Sequence, residues 1–113
     1  MKVQVQTKAT KYRPSVPTKY SVEIERNKSI KIFVDNQMVN SFNLGDEAEY
    51  DSYNLIYHGP ITKITDKLVQ ITSYPGTLSE RRHNLNLERF CWKNENFDLA
   101  KVNAHNHEEM YYI

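Results

Sequence analysis

The sequence predicts a mainly β domain, a twisted antiparallel sheet of about five to six strands closed by one or two short C-terminal helices. Apolar and polar residues alternate over several short segments, which is typical of strands with one buried face. Turn-forming residues separate these segments at close intervals. Helical spacing of apolar residues appears only near the C-terminus, so the α-helical part is expected to be small.

The first 18 residues form a basic arm, and residues 19–113 form a single β-rich domain in this interpretation. The arm has four basic side chains, no acidic residue and two prolines, which discourage regular structure after its first positions. Alternation at its start allows an edge strand at Val3–Thr7. Pairing of two such edge strands would favour a homodimer.

Three strands follow the arm. Apolar residues occupy every second position over Lys19–Glu25 and Ile30–Val34, and Met38–Phe42 is a shorter strand. The intervening segments Arg26–Lys28 and Asp35–Asn36 contain the asparagine and aspartate residues that favour tight turns. The sequence therefore predicts a meander over its first half.

A second meander is predicted within Leu44–Tyr74, the stretch around which the rest of the chain is organised. Ala48 and Tyr50 alternate with carboxylates in its first strand. His58–Pro60 is interpreted as a break before the second strand, which Ile61 and Ile64 define. A turn at Asp66–Lys67 then leads to a third strand over Val69–Ile71.

Helical spacing begins near Asn86. Ser79–Arg82 is polar and is expected to be an exposed loop, and Leu85 and Leu87 are expected to form a short closing strand. Leu87, Phe90 and Cys91 then lie at helical intervals, with Asn86 as the N-cap. A second helix is predicted at Leu99–His105, with Asp98 as its cap.

The amino-acid composition limits the partners and compartments that are expected for the protein. The chain has 113 residues with 15 basic and 14 acidic side chains, so a nucleic acid or an anionic membrane would require a local basic patch. The single cysteine allows no internal disulfide, which favours a reducing compartment. No apolar run is long enough to span a bilayer, and the first residues lack the apolar centre of a signal peptide. We therefore expect a cytoplasmic protein without a membrane partner.

The second meander carries a family resemblance. Its pattern, Gly45-Asp46-x-Ala48-x-Tyr50 followed by Gly59-x-Ile61-x-x-Ile64 and Val69-x-Ile71, resembles the strand and turn register of SH3-like small barrels such as KOW and Tudor modules. The resemblance implies an SH3-like barrel that binds proteins, peptides or nucleic acids and is rarely an enzyme. The asparagine-rich and tyrosine-rich composition is also similar to that of small bacteriophage accessory proteins.

The favoured function is a non-enzymatic protein-binding or inhibitory accessory protein, which the second resemblance would make a phage protein directed at a host factor. Its aromatic anchors would be Phe33, on the opposite face from the other apolar residues of its strand, and the tyrosines Tyr50, Tyr53 and Tyr57. Acidic residues would form the rim. In a Tudor-like module, Tyr74 would join the tyrosines in an aromatic cage.

Nucleic-acid binding is the alternative. Lys63, Lys67, Arg81 and Arg82 would contact phosphates with help from the basic arm, and neighbouring tyrosines would stack on bases. This hypothesis predicts a contiguous positive face and a steep dependence of binding on salt.

Catalysis has weaker support, and neither a cofactor nor a metal is expected. Cys91 is interpreted as a small buried hydrophobe, because no nucleophile motif accompanies it. His105, His107 and Glu108 offer imidazole and carboxylate ligands, but their spacing matches no known metal motif, so an exposed tail is favoured. Glu47, Glu49 and Asp51 would form either a solvated outer face or an acidic strip that meets a basic partner.

Overall fold

The computed structural model describes residues 1–6, 19–53 and 55–97. Within these ranges the chain forms two four-stranded antiparallel sheets and one short helix. The predicted mainly β class is therefore confirmed. The predicted second helix at Leu99–His105, the residues His105, His107 and Glu108, and residues 7–18 of the basic arm lie outside the described ranges.

The first sheet contains β1 (Lys2–Gln6), β2 (Lys19–Glu25), β3 (Ser29–Val34) and β4 (Gln37–Asn43), which neighbour one another in chain order. The three strands predicted after the arm are all present. The turn between β3 and β4 consists of Asp35 and Asn36, with φ values of 51° and 63°. Positive φ at both central residues is the geometry of a type I′ hairpin, which aspartate and asparagine tolerate. β1 is an edge strand, so dimerisation by strand pairing stays a prediction.

The second sheet contains β5 (Glu47–Ser52), β6 (Leu55–Ile64), β7 (Leu68–Ser73) and β8 (Arg81–Asn86), again in chain order. The helix α1 (Leu87–Asn94) follows β8 without a loop. The side chain of Asn86 accepts a hydrogen bond from the Arg89 N–H at 2.8 Å, which confirms the predicted N-cap. Arg81 and Arg82 lie in β8, so the prediction of a loop at these residues is wrong.

The expected break at His58–Pro60 is also wrong, because these residues continue β6. The strand pairs with β5 over Leu55–Pro60 and with β7 over Ile61–Ile64. The N–H and C=O of Ile61 bond to Asp46 and Gly45. Since alternate residues of an antiparallel strand direct their N–H groups to opposite sides, pairing with β5 requires no N–H at Pro60.

One hydrophobic core joins both sheets and the helix. Its members are residues with nearly no exposed surface from all three parts of the fold: Tyr20, Val22, Ile24, Ile30, Ile32, Phe42, Ala48, Tyr50, Ile61, Ile64, Val69, Ile71, Leu85, Leu87, Phe90 and Cys91. Phe42 of β4 and Phe90 of α1 meet edge to face, with ring centroids 5.3 Å apart. The core is thus built from the apolar residues that alternate along the strands and recur along α1.

The strands of the described ranges do not close into a barrel, so the SH3-like barrel is not confirmed. β4 and β5 are edge strands, and the end of α1 lies between them. The Asn94 side chain accepts a hydrogen bond from the Glu49 N–H at 2.7 Å and donates one to the Glu49 C=O at 3.1 Å. Asn40 of β4 donates to the Asn94 C=O at 2.7 Å. A side-chain amide therefore takes the position that a neighbouring strand would occupy in a barrel.

No helix within the described parts of the chain combines the length and the apolar character that crossing a membrane requires.

Candidate functional site

The β5–β6 hairpin presents a group of exposed apolar side chains. Its connection begins at Tyr53, which has a φ of 50° and is 89% exposed. Leu55 and Ile56 are 57% and 58% exposed, and Tyr57 is 42% exposed. Because neighbouring strand residues point to opposite faces, both faces of the hairpin are apolar at this end. We call Tyr53, Leu55, Ile56 and Tyr57 the hairpin patch.

A cleft of about 540 Å³ begins beside this patch. Residues from all four strands of the second sheet and the start of the β7–β8 connection line it: Glu47, Tyr50, Ser52, Tyr57, His58, Gly59, Pro60, Ser73, Tyr74, Arg81 and His83. Its volume lies within the range of roughly 300–1,000 Å³ that is usual for small-molecule sites. We refer to it below as the cleft.

Three rings stack in series in the cleft. The Tyr50 ring lies 4.1 Å from the His83 ring and 5.7 Å from the Tyr57 ring, and the planes are within 25° of parallel in both pairs. Tyr50 is on β5 and His83 is on β8, the opposite edge of the sheet. The Tyr50 side chain therefore extends across the intervening strands rather than into solvent.

Gly59 provides the space for this crossing. A Cβ atom at Gly59 would lie 3.4 Å from Tyr50 Cε1, 3.0 Å from Ile71 Cγ2 and 3.1 Å from the Thr72 C=O oxygen. Because the last two distances are shorter than ordinary van der Waals contacts, a larger residue would press β6 away from β7. Glycine at this position therefore allows β6 and β7 to approach closely, and its lack of a side chain leaves room for the Tyr50 ring.

His83 joins the ring stack to a serine. Its Nε2 atom lies 3.2 Å from Ser73 Oγ, and Ser73 also donates a hydrogen bond to the Arg81 C=O at 3.4 Å. Burial lowers the pKa of His83 below its ordinary value, and the positive charge of Arg81 lowers it further. Both effects favour the neutral form of the imidazole. No carboxylate in the described ranges bonds to this ring, so a Ser-His-Asp triad is not assembled there.

Arg81 and Arg82 lie on opposite faces of β8. Arg81 lines the cleft, whereas Arg82 lines a second, smaller depression of about 390 Å³ together with Lys63. Arg82 is 3.7 Å from the Glu80 carboxylate. Lys67 belongs to the connection between β6 and β7 and lines neither depression. The structure thus places Lys63 and Arg82 in one depression and Arg81 in the cleft.

The predicted aromatic anchors are also divided. Phe33 is half-buried in the first sheet, beside Lys2, Ser21 and Glu23, and is apart from the tyrosines of the second sheet. Tyr50, one of the predicted anchors, is not available at the surface, because only 4% of it is exposed. Tyr53 and Tyr57 are exposed on one hairpin.

Leu55 and Ile56 were missed as candidate site residues. The signal in the sequence is the run Leu55-Ile56-Tyr57, which lacks the alternation of a strand with one buried face. An apolar run without alternation predicts burial on both faces. Here both faces are exposed instead, which is why the run marks a candidate interface.

In the acidic strip of β5, the Asp51 carboxylate faces the chain's own helix. Asp51 pairs with Arg89 through Oδ1 and Nε at 3.0 Å and through a second, shorter contact between Oδ2 and Nη2. Lys93 Nζ lies 3.8 Å from the same carboxylate. The hydrogen bond from Arg89 lowers the pKa of Asp51, while burial raises the pKa of Glu47 and the nearby His58 partly offsets that effect. A basic surface therefore meets part of this strip, but the surface belongs to α1.

Replacement of Asp51 by asparagine is expected to lower the free energy of unfolding at neutral pH by about 1 kcal/mol or less, as for other partly exposed ion pairs. A carboxylate whose pKa is lowered on folding stabilises the fold fully above its ordinary value of 3.8. This stabilisation is lost as the pH falls through the lower pKa of the folded state. Urea denaturation of both proteins should therefore show the difference at neutral pH and a progressively smaller difference as the pH falls below 3.8.

Glu25→Gln is the matched control, since the Glu25–Lys28 pair is exposed on both sides and its atoms are 3.7 Å apart. We expect no measurable change in this variant at neutral pH or in acid. An undiminished difference between Asp51→Asn and the wild type in acid would show that the carboxylate charge is not what stabilises this contact.

Metal and thiol chemistry receive no support from the described parts of the chain. No group of three or more histidine, cysteine or carboxylate side chains is suitably placed there to hold a metal. Cys91 is buried in the core, and burial raises the pKa of its thiol to about 12. The interpretation of Cys91 as a small buried hydrophobe is confirmed.

Comparisons with protein-family models, with curated proteins and with solved structures find no match for this chain. The resemblance to KOW and Tudor modules therefore stays a prediction.

Proposed function

We propose that this protein is a non-enzymatic binding module that docks a protein partner through the hairpin patch. The observation that supports this proposal is the exposure of four large apolar side chains on one hairpin. Large apolar groups that are exposed together typically mark an interaction surface. Tyrosine is also among the residue types that most often provide the binding energy of interfaces.

The chemistry of the patch favours a protein over a nucleic acid. Of its four side chains, none is charged, and Asp51, which pairs with Ile56 across the hairpin, is acidic. Phosphate backbones are bound by lysine and arginine, which this hairpin lacks between β5 and Tyr57. A partner surface with an apolar groove suits the hairpin better, because burial in it removes both apolar faces from water.

The geometry gives the patch a further property of an interface. β6 contributes its first buried residue to the fold at Gly59, so the preceding four residues project beyond the core. A hairpin whose two strands are already paired loses little conformational freedom when it binds. Such a projecting element can fill a groove of a partner, which is the geometry expected of an inhibitory or accessory protein.

The nucleic-acid alternative that the sequence suggested has less support than protein docking. Of the four basic residues proposed for it, Lys63 and Arg82 line one depression and Arg81 lines the cleft, and Arg82 lies near a carboxylate. Binding through a contiguous positive face predicts a steep loss of affinity with salt. Titration of labelled single- and double-stranded DNA and RNA at low and physiological salt would test this alternative directly.

The double variant Leu55→Ser/Ile56→Ser is expected to weaken binding to a protein partner by roughly 30-fold, which corresponds to about 2 kcal/mol for the loss of an interface hot spot. The partner is first captured by immobilised wild-type protein from a cell extract and identified. Its affinity for each variant is then measured with purified proteins by surface plasmon resonance.

Leu78→Ser is the matched control, because Leu78 is a fully exposed leucine in the β7–β8 connection, outside the hairpin patch. We expect it to bind the partner as tightly as the wild type does. Equal affinity of the double variant and the wild type would contradict the proposal, as would a partner that Leu78→Ser loses to the same degree. Sedimentation of the purified chain would show whether the partner is a second copy.

A further inference from the structure

The cleft has chemical features that the proposed protein docking does not use. It combines exposed aromatic rings, a guanidinium group and serine hydroxyls in one concave surface of the second sheet. The hairpin patch shares Tyr57 with it, whereas Leu55 and Ile56 do not line it. The cleft is therefore a second candidate site with its own ligand chemistry.

The rings suit a planar ligand. Tyr74 is 70% exposed and Tyr57 is 42% exposed, and both line the cleft. Tyr57 is also the outer member of the stack in which Tyr50 and His83 are nearly parallel to one another. The buried Tyr50 ring stacks on the Tyr57 ring and restricts the motion of the Tyr57 side chain. A ligand that binds to Tyr57 therefore has less side-chain conformational entropy to remove. Nucleobases stack on aromatic side chains of this kind.

Arg81 suits an anion. Its side chain is exposed and lines the cleft, and among the residues in the described ranges no carboxylate lies within ion-pair distance of it. The other two arginines with described contacts differ in this respect, since Arg82 lies near Glu80 and Arg89 pairs with Asp51. A guanidinium offers a planar fork of donors that matches a phosphate group.

The remaining polar groups of the cleft limit which anions fit. Glu47 also lines it, so a ligand that is anionic over its whole length is disfavoured. The hydroxyls of Ser52 and Ser73 can bond to uncharged polar groups such as those of a sugar. A ligand with one charged end and one planar uncharged end is consistent with this distribution.

We propose that the cleft binds a nucleoside phosphate, either free or at the end of a single strand, with its phosphate on Arg81 and its base against Tyr57 and Tyr74. The proposal does not depend on protein docking by the hairpin patch. A terminal nucleotide and a free nucleotide would present the same base and phosphate to the cleft. Separate arms of the experiment are therefore needed to distinguish these two sources.

The test is a titration of the full chain by isothermal calorimetry with uridine monophosphate, adenosine monophosphate, uridine alone and inorganic phosphate alone. We expect at least one nucleotide to bind, and both single components to bind at least about tenfold more weakly, because the site needs stacking and charge together. A 5′-phosphorylated oligonucleotide that binds more tightly than the mononucleotides would assign the site to strand ends. Weaker binding of the oligonucleotide would assign it to free nucleotides.

Two adjacent arginines supply the matched variants. Arg81→Gln is expected to weaken nucleotide binding at least about tenfold, and Arg82→Gln to leave it unchanged, because Arg82 lies on the opposite face. Tyr57→Leu should weaken binding of the base, whereas Leu55→Ser/Ile56→Ser should leave it unchanged. The last variant separates this proposal from protein docking, since it removes Leu55 and Ile56 of the hairpin patch, which do not line the cleft.

Three results would overturn the proposal. The first is a dissociation constant above about 1 mM for every nucleotide tested. The second is equal affinity for inorganic phosphate and for the nucleotides, which would indicate nonspecific anion binding. The third is an equal loss of affinity in Arg81→Gln and Arg82→Gln, which would place the phosphate elsewhere.

Discussion

Replacing Asn94 with leucine is expected to lower the free energy of unfolding by about 3 kcal/mol, the range found when a buried hydrogen-bond network is broken. The Asn94 side chain is fully buried and bonds to the N–H and C=O of Glu49 and to the Phe90 C=O. Leucine has nearly the same size but cannot bond, so the backbone groups of Glu49 would lose their partner at the edge of β5. Chemical denaturation of both proteins measures the difference.

Asn94→Asp tests the direction of these bonds. An ionised carboxylate can accept from the Glu49 N–H but cannot donate to the Glu49 and Phe90 carbonyls. We therefore expect the aspartate variant to be as unstable as the leucine variant at neutral pH and to recover part of its stability in acid, where a protonated carboxyl can donate one hydrogen bond.

Asn96→Ala is the control for Asn94, since Asn96 is exposed two residues further along the chain. It should change the free energy of unfolding by less than about 0.5 kcal/mol. Similar stability of Asn94→Leu and Asn96→Ala would show that the amide is not what joins the end of α1 to β5.

Gly59→Val is expected to lower the free energy of unfolding by about 3 kcal/mol, the upper part of the range for overpacking. A Cβ atom there already approaches Ile71 Cγ2 at 3.0 Å and the Thr72 C=O at 3.1 Å, and valine adds two further methyl groups. Thermal and chemical denaturation would measure the loss. Lys63→Val places the same side chain at an exposed position of the same strand and is expected to change stability little.

The glycine variant also has an expected effect on the cleft. Displacement of the Tyr50 ring would separate it from His83 and admit water, so the pKa of His83 should rise toward its ordinary value of 6.5. The imidazole proton resonances report this pKa in an NMR titration. A wild-type pKa of His83 in a destabilised Gly59→Val protein would mean that the ring stack does not depend on the space at Gly59.

The two proposed sites were only partly predictable. Tyr53 and Tyr57 are exposed, as the anchor hypothesis requires, but only the structure places them together on the β5–β6 hairpin. Tyr50 has the same residue type, but its exposure depends on whether a neighbouring strand leaves space for its ring. Gly59, nine residues further on, provides this space. Its role is visible only in the tertiary structure, where β6 and β7 lie side by side.

The basic residues show how one error in secondary structure changes a site. In a loop, Arg81 and Arg82 can both reach the same ligand, and that assumption underlay the predicted basic surface. In a strand, consecutive side chains point to opposite faces, so Arg81 lines the cleft and Arg82 lines the second depression, beside Lys63. The polar composition of Ser79–Arg82 favoured a loop, whereas pairing with β7 makes Arg81 and Arg82 part of the sheet.

The sequence by itself determined the local elements: the strands from Lys19 to Phe42, the tight turn at Asp35–Asn36, the cap at Asn86 and the apolar face of α1. Each follows from side-chain periodicity or from a backbone conformation that a few neighbouring residues fix. Tertiary structure alone decided how the strands of the described ranges are divided between two four-stranded sheets. The bond between Asn94 and Glu49 joins residues 45 positions apart, and its energy depends on burial that no local pattern specifies.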